Sequence, residues 1–248
     1  MLWRERDGVR WLEAELPGAR AAFAGRLGGV SEGAFASLNL GWQTDDDPAA
    51  VAGNRARLGA ALGFAPEQLV AARQVHGASL VTHPAPTPPD PWAEDGPDGV
   101  PEADGHVVTR EGVAACVLTA DCLPVALAGP GGAAILHCGW RGLATDLIER
   151  GVEAVGARAA AVGPGIGPCC YEVGDEVLGR FRHLGPGVVR ERRLDLRAVA
   201  ERLLRRAGVE RIEHADLCTS CHDELFFSHR RDRGRTGRQA AVVWRCRS

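Results

Sequence analysis

Two apolar runs in the middle of the chain set its pattern. Val113-Ala114-Ala115-Cys116-Val117-Leu118 exits into Thr119-Ala120-Asp121-Cys122-Leu123-Pro124. Ala133-Ala134-Ile135-Leu136 exits into His137-Cys138-Gly139-Trp140-Arg141-Gly142. Continuous apolar runs of this length, bounded by turn residues, predict strands covered on both faces. Cys122 and His137 fall at the strand ends, fifteen residues apart. That distance accommodates a short strand, a turn at Gly129-Pro130-Gly131-Gly132 and a return strand. Elsewhere, Arg10 to Phe23 predicts short strands around Pro17-Gly18, and Arg26 to Gly41, rich in Gly and Ser, predicts a long ordered loop. Asp47-Pro48 opens a helix with Val51, Leu58, Ala61 and Leu62 at helical spacing, ended by Gly63. A second helix is predicted from Gly142 to about Val155, with Leu147, Ile148, Val152 and Val155 on one face. A short strand at Ala159 to Val162, helices from about Gly174 to Phe181 and Asp195 to Arg206, and a strand at Ala240 to Trp244 follow. The stretch from Pro84 to Pro101 holds seven Pro, which predicts an extended surface insertion rather than a core element.

Composition changes this picture little. The 248 residues are 45% hydrophobic and 25% charged, ordinary for a globular protein of one large or two small domains. A net charge of −3 argues against a general nucleic-acid binder, which would carry a basic excess. All 29 basic residues are Arg. The N-terminus is charged, and no apolar run reaches signal-peptide length or the ~20 residues of a membrane span. A cytoplasmic protein with no membrane partner is expected, its eight Cys reduced and available as thiolates.

Candidate chemistry centres on His76, Cys122 and His137. Two imidazoles and a thiolate form a borderline-soft donor set suited to zinc or copper, and three protein ligands leave the fourth tetrahedral position open, as in catalytic zinc sites. On residues alone the alternative stands beside it: a buried Cys acting as a small hydrophobe and two hydrogen-bonded core His. Two motifs are decoys. Gly163-Pro164-Gly165-Ile166-Gly167-Pro168 has Pro168 where a dinucleotide fingerprint needs its third Gly. Cys218-Thr219-Ser220-Cys221-His222 matches a c-type haem attachment sequence, but Met1 is the only Met available as an axial partner. Read instead as half of a structural zinc site, it lacks a second C-x-x-C to complete it.

Several blocks together resemble the YfiH family, also called laccase-domain or multicopper polyphenol oxidase proteins. They are Arg26-Leu27-Gly28-Gly29-Val30-Ser31-Glu32-Gly33, Ser37-Leu38-Asn39-Leu40-Gly41, Gln74-Val75-His76-Gly77, Thr119 to Pro124, His137 to Gly142, Gly163-Pro164 through Tyr171-Glu172-Val173, and Phe226-Phe227-Ser228-His229-Arg230-Arg231 with Thr236-Gly237-Arg238. The blocks run in order over nearly the whole chain. The resemblance implies an α+β fold, a single-domain four-layer α/β/β/α sandwich with mixed sheets spanning residues 1–248. It implies one metal ion, zinc or alternatively copper, on His76, Cys122 and His137. It also implies phosphorolysis of adenosine, inosine and methylthioadenosine, with deamination of adenosine, by a monomer or weak homo-oligomer whose partners are nucleoside and phosphate.

Second-line residues follow from that chemistry. Glu172 and Asp121 are candidate proton shuttles, Arg141 is the candidate phosphate ligand nearest the His137 strand, and Asn39 is a candidate active-site amide, each weighed against a purely structural hydrogen-bonding role. Arg230, Arg231 and Arg238 are further cations for phosphate. Three other functions compete. A copper-dependent polyphenol oxidase would need more clustered His, and no H-x-H pair occurs. A Cys-His hydrolase would use Cys122 as nucleophile and His137 or His76 as base. A non-enzymatic cell-wall editing factor would need no catalysis. Cys138, next to His137 on a strand, is expected to face the other way, into the core.

Overall fold

The computed structural model describes residues 1–85 and 100–246. Most of the Pro84 to Pro101 stretch thus lies outside the described residues.

The chain opens with an antiparallel meander, β1 (Leu2–Arg6), β2 (Val9–Leu16) and β3 (Ala19–Ala24). A long loop leads to α1 (Pro48–Leu62), which Asp47 caps by accepting from the Ala49 N–H and Gly63 terminates in the left-handed conformation at φ 83°. Pro at the first helical position and Gly just past the last are the expected asymmetry. Then come β4 (Leu69–Val70), β5 (Leu80–His83), β6 (Gly105–Val108), β7 (Ala114–Thr119), β8 (Leu123–Gly129) and β9 (Gly132–Cys138). The helix expected from Gly142 is two pieces, α2 (Trp140–Leu143) and α3 (Leu147–Val155). The break comes where Thr145 turns back on Gly142, its N–H and Oγ1 both donating to the Gly142 carbonyl. The remaining elements are β10 (Ala159–Val162), α4 (Asp175–Phe181), β11 (Val189–Arg190), β12 (Arg193–Leu194), α5 (Leu196–Arg206), β13 (Arg211–His214) and β14 (Gln239–Arg245).

Two six-stranded mixed sheets result, ordered β1-β2-β3-β14-β7-β4 and β13-β10-β8-β9-β6-β5. Alternation along the central strands sorts their side chains into three apolar layers. In β7, Ala115 and Val117 face the other sheet, while Ala114, Cys116 and Leu118 face the α1 side with Leu58 and Ala61. In β8 and β9, Ala126 and Ile135 join the layer between the sheets with Phe23. Val125, Leu127, Leu136 and Cys138 pack against Leu147, Ile148 and Val152 of α3 and Val199 of α5. The order of layers is therefore helix, sheet, sheet, helices: the expected α+β four-layer sandwich. Strands from both sides of the Pro-rich stretch share each sheet, β4 pairing with β7 and β5 with β6, so the core is not divided there. Cys138 is fully buried on the helix side, as its parity requires.

Two connections cross from one sheet to the other near the same end of the sandwich: β4 to β5, and β7 to β8. They carry His76 and Cys122. His137 sits one residue from the end of β9 between them. The fold thus brings to one place three side chains from three separate segments.

Candidate active site

Asp104 holds the first crossing in place. It precedes β6, is fully buried, and its carboxylate accepts from four groups. Oδ1 takes the His76 backbone N–H at 2.9 Å and His137 Nδ1 at 2.8 Å; Oδ2 takes the N–H of Gly77 at 2.6 Å and of Val75 at 3.1 Å. Burial pushes the Asp104 carboxyl up, but the His137 imidazole and these backbone donors outweigh it and hold it below its ordinary value. The turn wrapped around the carboxylate puts His76 at φ +60°, a conformation non-glycine residues adopt at a cost and that clusters at functional sites. Gln74 completes the placement. Its side chain donates to the Leu118 carbonyl at 2.8 Å and accepts the Leu118 N–H at 2.7 Å, standing in for a strand neighbour of β7.

The second crossing is fixed by Asp121, itself at φ +93°. Its carboxylate accepts Thr219 Oγ1 at 2.6 Å and the Arg230 N–H at 2.7 Å, and its carbonyl accepts the Ile166 N–H at 2.8 Å. Cys122 follows, half-buried. The donor atoms of His76, Cys122 and His137 all lie within 4.8 Å of one another, and the two imidazole rings meet edge to face at 4.8 Å. Gly139 is required by this closeness: a Cβ there would sit 3.0 Å from Cys122 Sγ and 3.2 Å from the His76 ring.

The electrostatics favour an ion pair between thiolate and imidazolium. Burial pushes the Cys122 thiol up, but the His137 and His76 imidazoles outweigh it and bring it down to about 6. Burial likewise lowers His137, and the Cys122 thiolate and Asp104 reverse this, raising it to about 9. A thiol so disposed to lose its proton is a ready metal ligand or nucleophile. The donor set fits a tetrahedral divalent ion. Three ligands converge, the far nitrogen of His137 is held by a carboxylate as metal-bound imidazoles commonly are, and the open side faces a cleft.

That cleft has a volume of about 350 Å³ and is lined by Trp42, Thr44, Gln74, His229 and Arg238 besides the trio, the size of a small-molecule site. Asn39 lies behind its wall, fully buried. Its amide oxygen accepts the N–H of Gly41 and Arg238, and its NH₂ donates to Thr44 and Asp46. All four hydrogen-bonding positions of the amide are used, so Asn39 anchors two stretches of the cleft wall and has no valence left for a bound molecule. Asp121 is similarly occupied.

Glu172 and Arg141 are not brought to the trio. Glu172 is largely exposed and pairs with Arg192 at 3.2 Å, and Arg141 is exposed with its guanidinium 4.4 Å over the Trp140 ring. Neither lines the cleft. Arg141 follows His137 by four residues, but the short helix α2 leaves its side chain exposed. Of the other cations, Arg230 stacks 5.1 Å over Tyr171 and Arg231 is spent on Asp232 and the carbonyls of Thr219 and Phe226. Only Arg238 of the three reaches the cleft. Sequence reasoning missed Asp104, whose partners lie 27 to 33 residues away, and gave His229 no role although it belongs to a quoted block.

A Cys-His-His trio at the seam of a double-sheet sandwich defines the class. The chain belongs to the multi-copper polyphenol oxidoreductase laccase family, whose model matches residues 20–246, and the expected YfiH resemblance holds. Among its relatives, it is 37% identical over 270 residues to purine nucleoside phosphorylase YlmD of Geobacillus stearothermophilus, covering 97% of this chain and 96% of that one. It is 42% identical over 236 residues to a purine nucleoside phosphorylase of Deinococcus radiodurans, covering 90% and 87%. The crystal structure of the Geobacillus YlmD superposes with a TM-score of 0.87 at 36% identity over 98% of both chains. That of Bacillus licheniformis hypothetical protein YfiH gives 0.86 at 31% identity over 98% and 99%. No helix among the described residues is long and apolar enough to cross a membrane.

Proposed function

We propose that this chain is a metal-dependent purine nucleoside phosphorylase that also deaminates adenosine. The observation that carries the reading is the convergence of His76, Cys122 and His137 on a cleft whose wall presents Arg238. The names of the relatives supply the substrate class. Adenosine, inosine and methylthioadenosine are the proposed nucleosides, and zinc is the proposed ion, since a mixed nitrogen and sulfur donor set with one open position suits it.

When bound, the ion supplies a Lewis acid at the floor of the cleft. The rest of the work falls to the chain. Asp104 fixes His137 with the Nδ1 proton toward itself, leaving Nε2 free for the site. Trp42 offers a flat apolar surface for the purine. Arg238 is the fixed cation for phosphate, in the role first assigned to Arg141. His229 lines the same cleft and is proposed to hand a proton to the departing base, whereas Glu172 and Asp121 were candidates for shuttling protons to the ammonia that leaves in deamination. In phosphorolysis the bond from ribose C1′ to the purine nitrogen breaks and a bond from C1′ to a phosphate oxygen forms.

The experiment is product analysis with and without phosphate. Adenosine alone should give inosine slowly; added phosphate should give free base and ribose 1-phosphate. Chelation, Cys122→Ala and His137→Ala should abolish both together. A second reading has its own support: Cys122, His137 and Asp104 form a thiolate, imidazole and carboxylate series like that of a Cys-His hydrolase. It predicts that Cys122→Ala is inactive while chelated wild type keeps its activity. Oxygen consumption with phenols and several copper ions per chain would instead favour an oxidase.

A further inference from the structure

Four cysteines outside the cleft come together, and the site just described uses none of them. Cys169 and Cys170 lie in the turn after Gly167, and Cys218 and Cys221 lie in the turn that precedes Phe226. All four sulfurs fall within 4.8 Å of one another. Cys221 Sγ is 3.5 Å from Cys169 Sγ and 3.4 Å from Cys170 Sγ. A regular tetrahedron with zinc–sulfur bonds of about 2.3 Å has sulfur–sulfur edges of about 3.8 Å. The two Cys221 separations fall a few tenths of an ångström short of that value, and they are far longer than a disulfide bond of about 2.05 Å.

The backbone around them is arranged for thiolates. The Gly167 N–H donates to Cys218 Sγ at 3.1 Å. Each pair sits in its own turn. The N–H groups of Cys170 and Tyr171 return to the Gly167 carbonyl, and those of Cys221 and His222 to the Cys218 carbonyl. Gly167 admits the approach: a Cβ there would lie 3.2 Å from Cys169 Sγ and 3.3 Å from the Cys218 Cβ. The same Cβ would meet the Arg197 guanidinium at 2.6 Å, so a cation stands beside what would be a doubly negative tetrathiolate centre. The C-x-x-C that seemed to be half a site finds its other half in an adjacent pair, 49 residues upstream.

We infer that Cys169, Cys170, Cys218 and Cys221 bind a second zinc ion as a closed, structural site. Four protein ligands and no open position mark a structural rather than a catalytic centre. The site would join the segment leading to Tyr171 to the one carrying Thr219. Thr219 Oγ1 is the hydrogen-bond partner of Asp121, next to Cys122, so this second ion would brace the cleft from behind without touching a bound molecule.

The test separates the two centres. The variant His137→Ala dismantles the catalytic trio and leaves the four cysteines alone. Purified from zinc-supplemented medium, it should keep about one zinc per chain where wild type keeps about two, by elemental mass spectrometry. Loaded with cobalt(II), it should show sulfur-rich charge-transfer bands and intense tetrahedral ligand-field bands. The converse variant, Cys218→Ser with Cys221→Ser, should lose those bands and one zinc, and it should melt at lower temperature. A metal-free His137→Ala variant overturns the inference. So does a pair of cysteines found oxidised to a disulfide in the non-reduced intact mass, or iron–sulfur absorbance in the purified protein. Failure of the nucleoside assays leaves this measurement unaffected, because its readout is metal content and spectrum.

Discussion

Replacing Asp104 by Asn changes one oxygen for an NH₂ group in a fully buried position, and the consequence can be worked through for both amide orientations. With the NH₂ in place of Oδ2, the N–H groups of Val75 and Gly77 face a donor and lose their acceptor. A stranded buried donor costs about 1–3 kcal/mol, so the pair costs about 2–6 kcal/mol. With the NH₂ in place of Oδ1, it faces the His76 N–H and His137 Nδ1. The imidazole must then accept at Nδ1, which moves its proton to Nε2, the nitrogen left for the metal. Either way the loop bearing His76 loosens or His137 takes the wrong tautomer. Loss of such an outer partner costs roughly 10–100-fold in metal affinity. The midpoint of thermal unfolding should fall by about 6–12 °C for a loss near 3 kcal/mol in a chain of this size. Affinity is measured by competition with a chromophoric zinc chelator, and stability by thermal denaturation of the metal-free protein. An Asp104→Asn variant that binds zinc within about threefold of wild type and melts unchanged would refute the claim that this carboxylate organises the site.

Burial and the neighbouring His83 hold the His106 imidazole down to about 3, from an ordinary 6.5. The unfolded chain therefore takes up that proton first, so this contribution to stability is full above pH 6.5 and is lost toward pH 3, at roughly 1.4 kcal/mol per pH unit. Urea midpoints measured across that range should fall less steeply for His106→Leu than for wild type. Arg238→Gln should raise the phosphate KM by about tenfold or more with a smaller change in kcat, read from phosphate titrations at saturating inosine. Asn39→Ala strands the N–H groups of Gly41 and Arg238 and should cost about 2–6 kcal/mol in denaturant unfolding.

The strands of the inter-sheet core were legible because β7 and β9 are apolar on both faces, as only doubly covered strands are. Helix α1 was legible because Asp47-Pro48 and Gly63 mark its ends chemically. The start of α3 was not: Thr145 and Asp146 are helix-start residue types inside what reads as one continuous helix, and the side chain of Thr145 makes the break by bonding back to Gly142. The metal trio was legible as residue types at strand ends, with the family resemblance joining them. Its support was hidden because Asp104 acts across a long sequence interval on backbone N–H groups that carry no residue-specific signal. The cysteine cluster was hidden for a related reason. An adjacent Cys pair and a C-x-x-C are ordinary apart, and only the β-bridge between Gly165 and Cys218 brings them together. Position along the chain was misleading for Arg141 and Glu172, which are near the right segments but turned to solvent.

The place of β14 in its sheet has a consequence for how the protein comes to exist in the cell. It pairs with β3 on one side and β7 on the other, yet it is made about 120 residues after β7. On the ribosome, chain emerges from the N-terminal end, so the meander and β7 wait as two separate half-sheets with open edges. Such edges are templates for wrong pairing with other chains. Closure is a long-range event, slow by its loop entropy, and until β14 inserts the layer carrying Phe23 and Val117 lacks its central strand. The facing edges of β3 and β7 therefore stay unpaired until this last strand is made. Substitutions in β14 that slow its insertion should lower the yield of folded protein more than they lower the stability of what does fold.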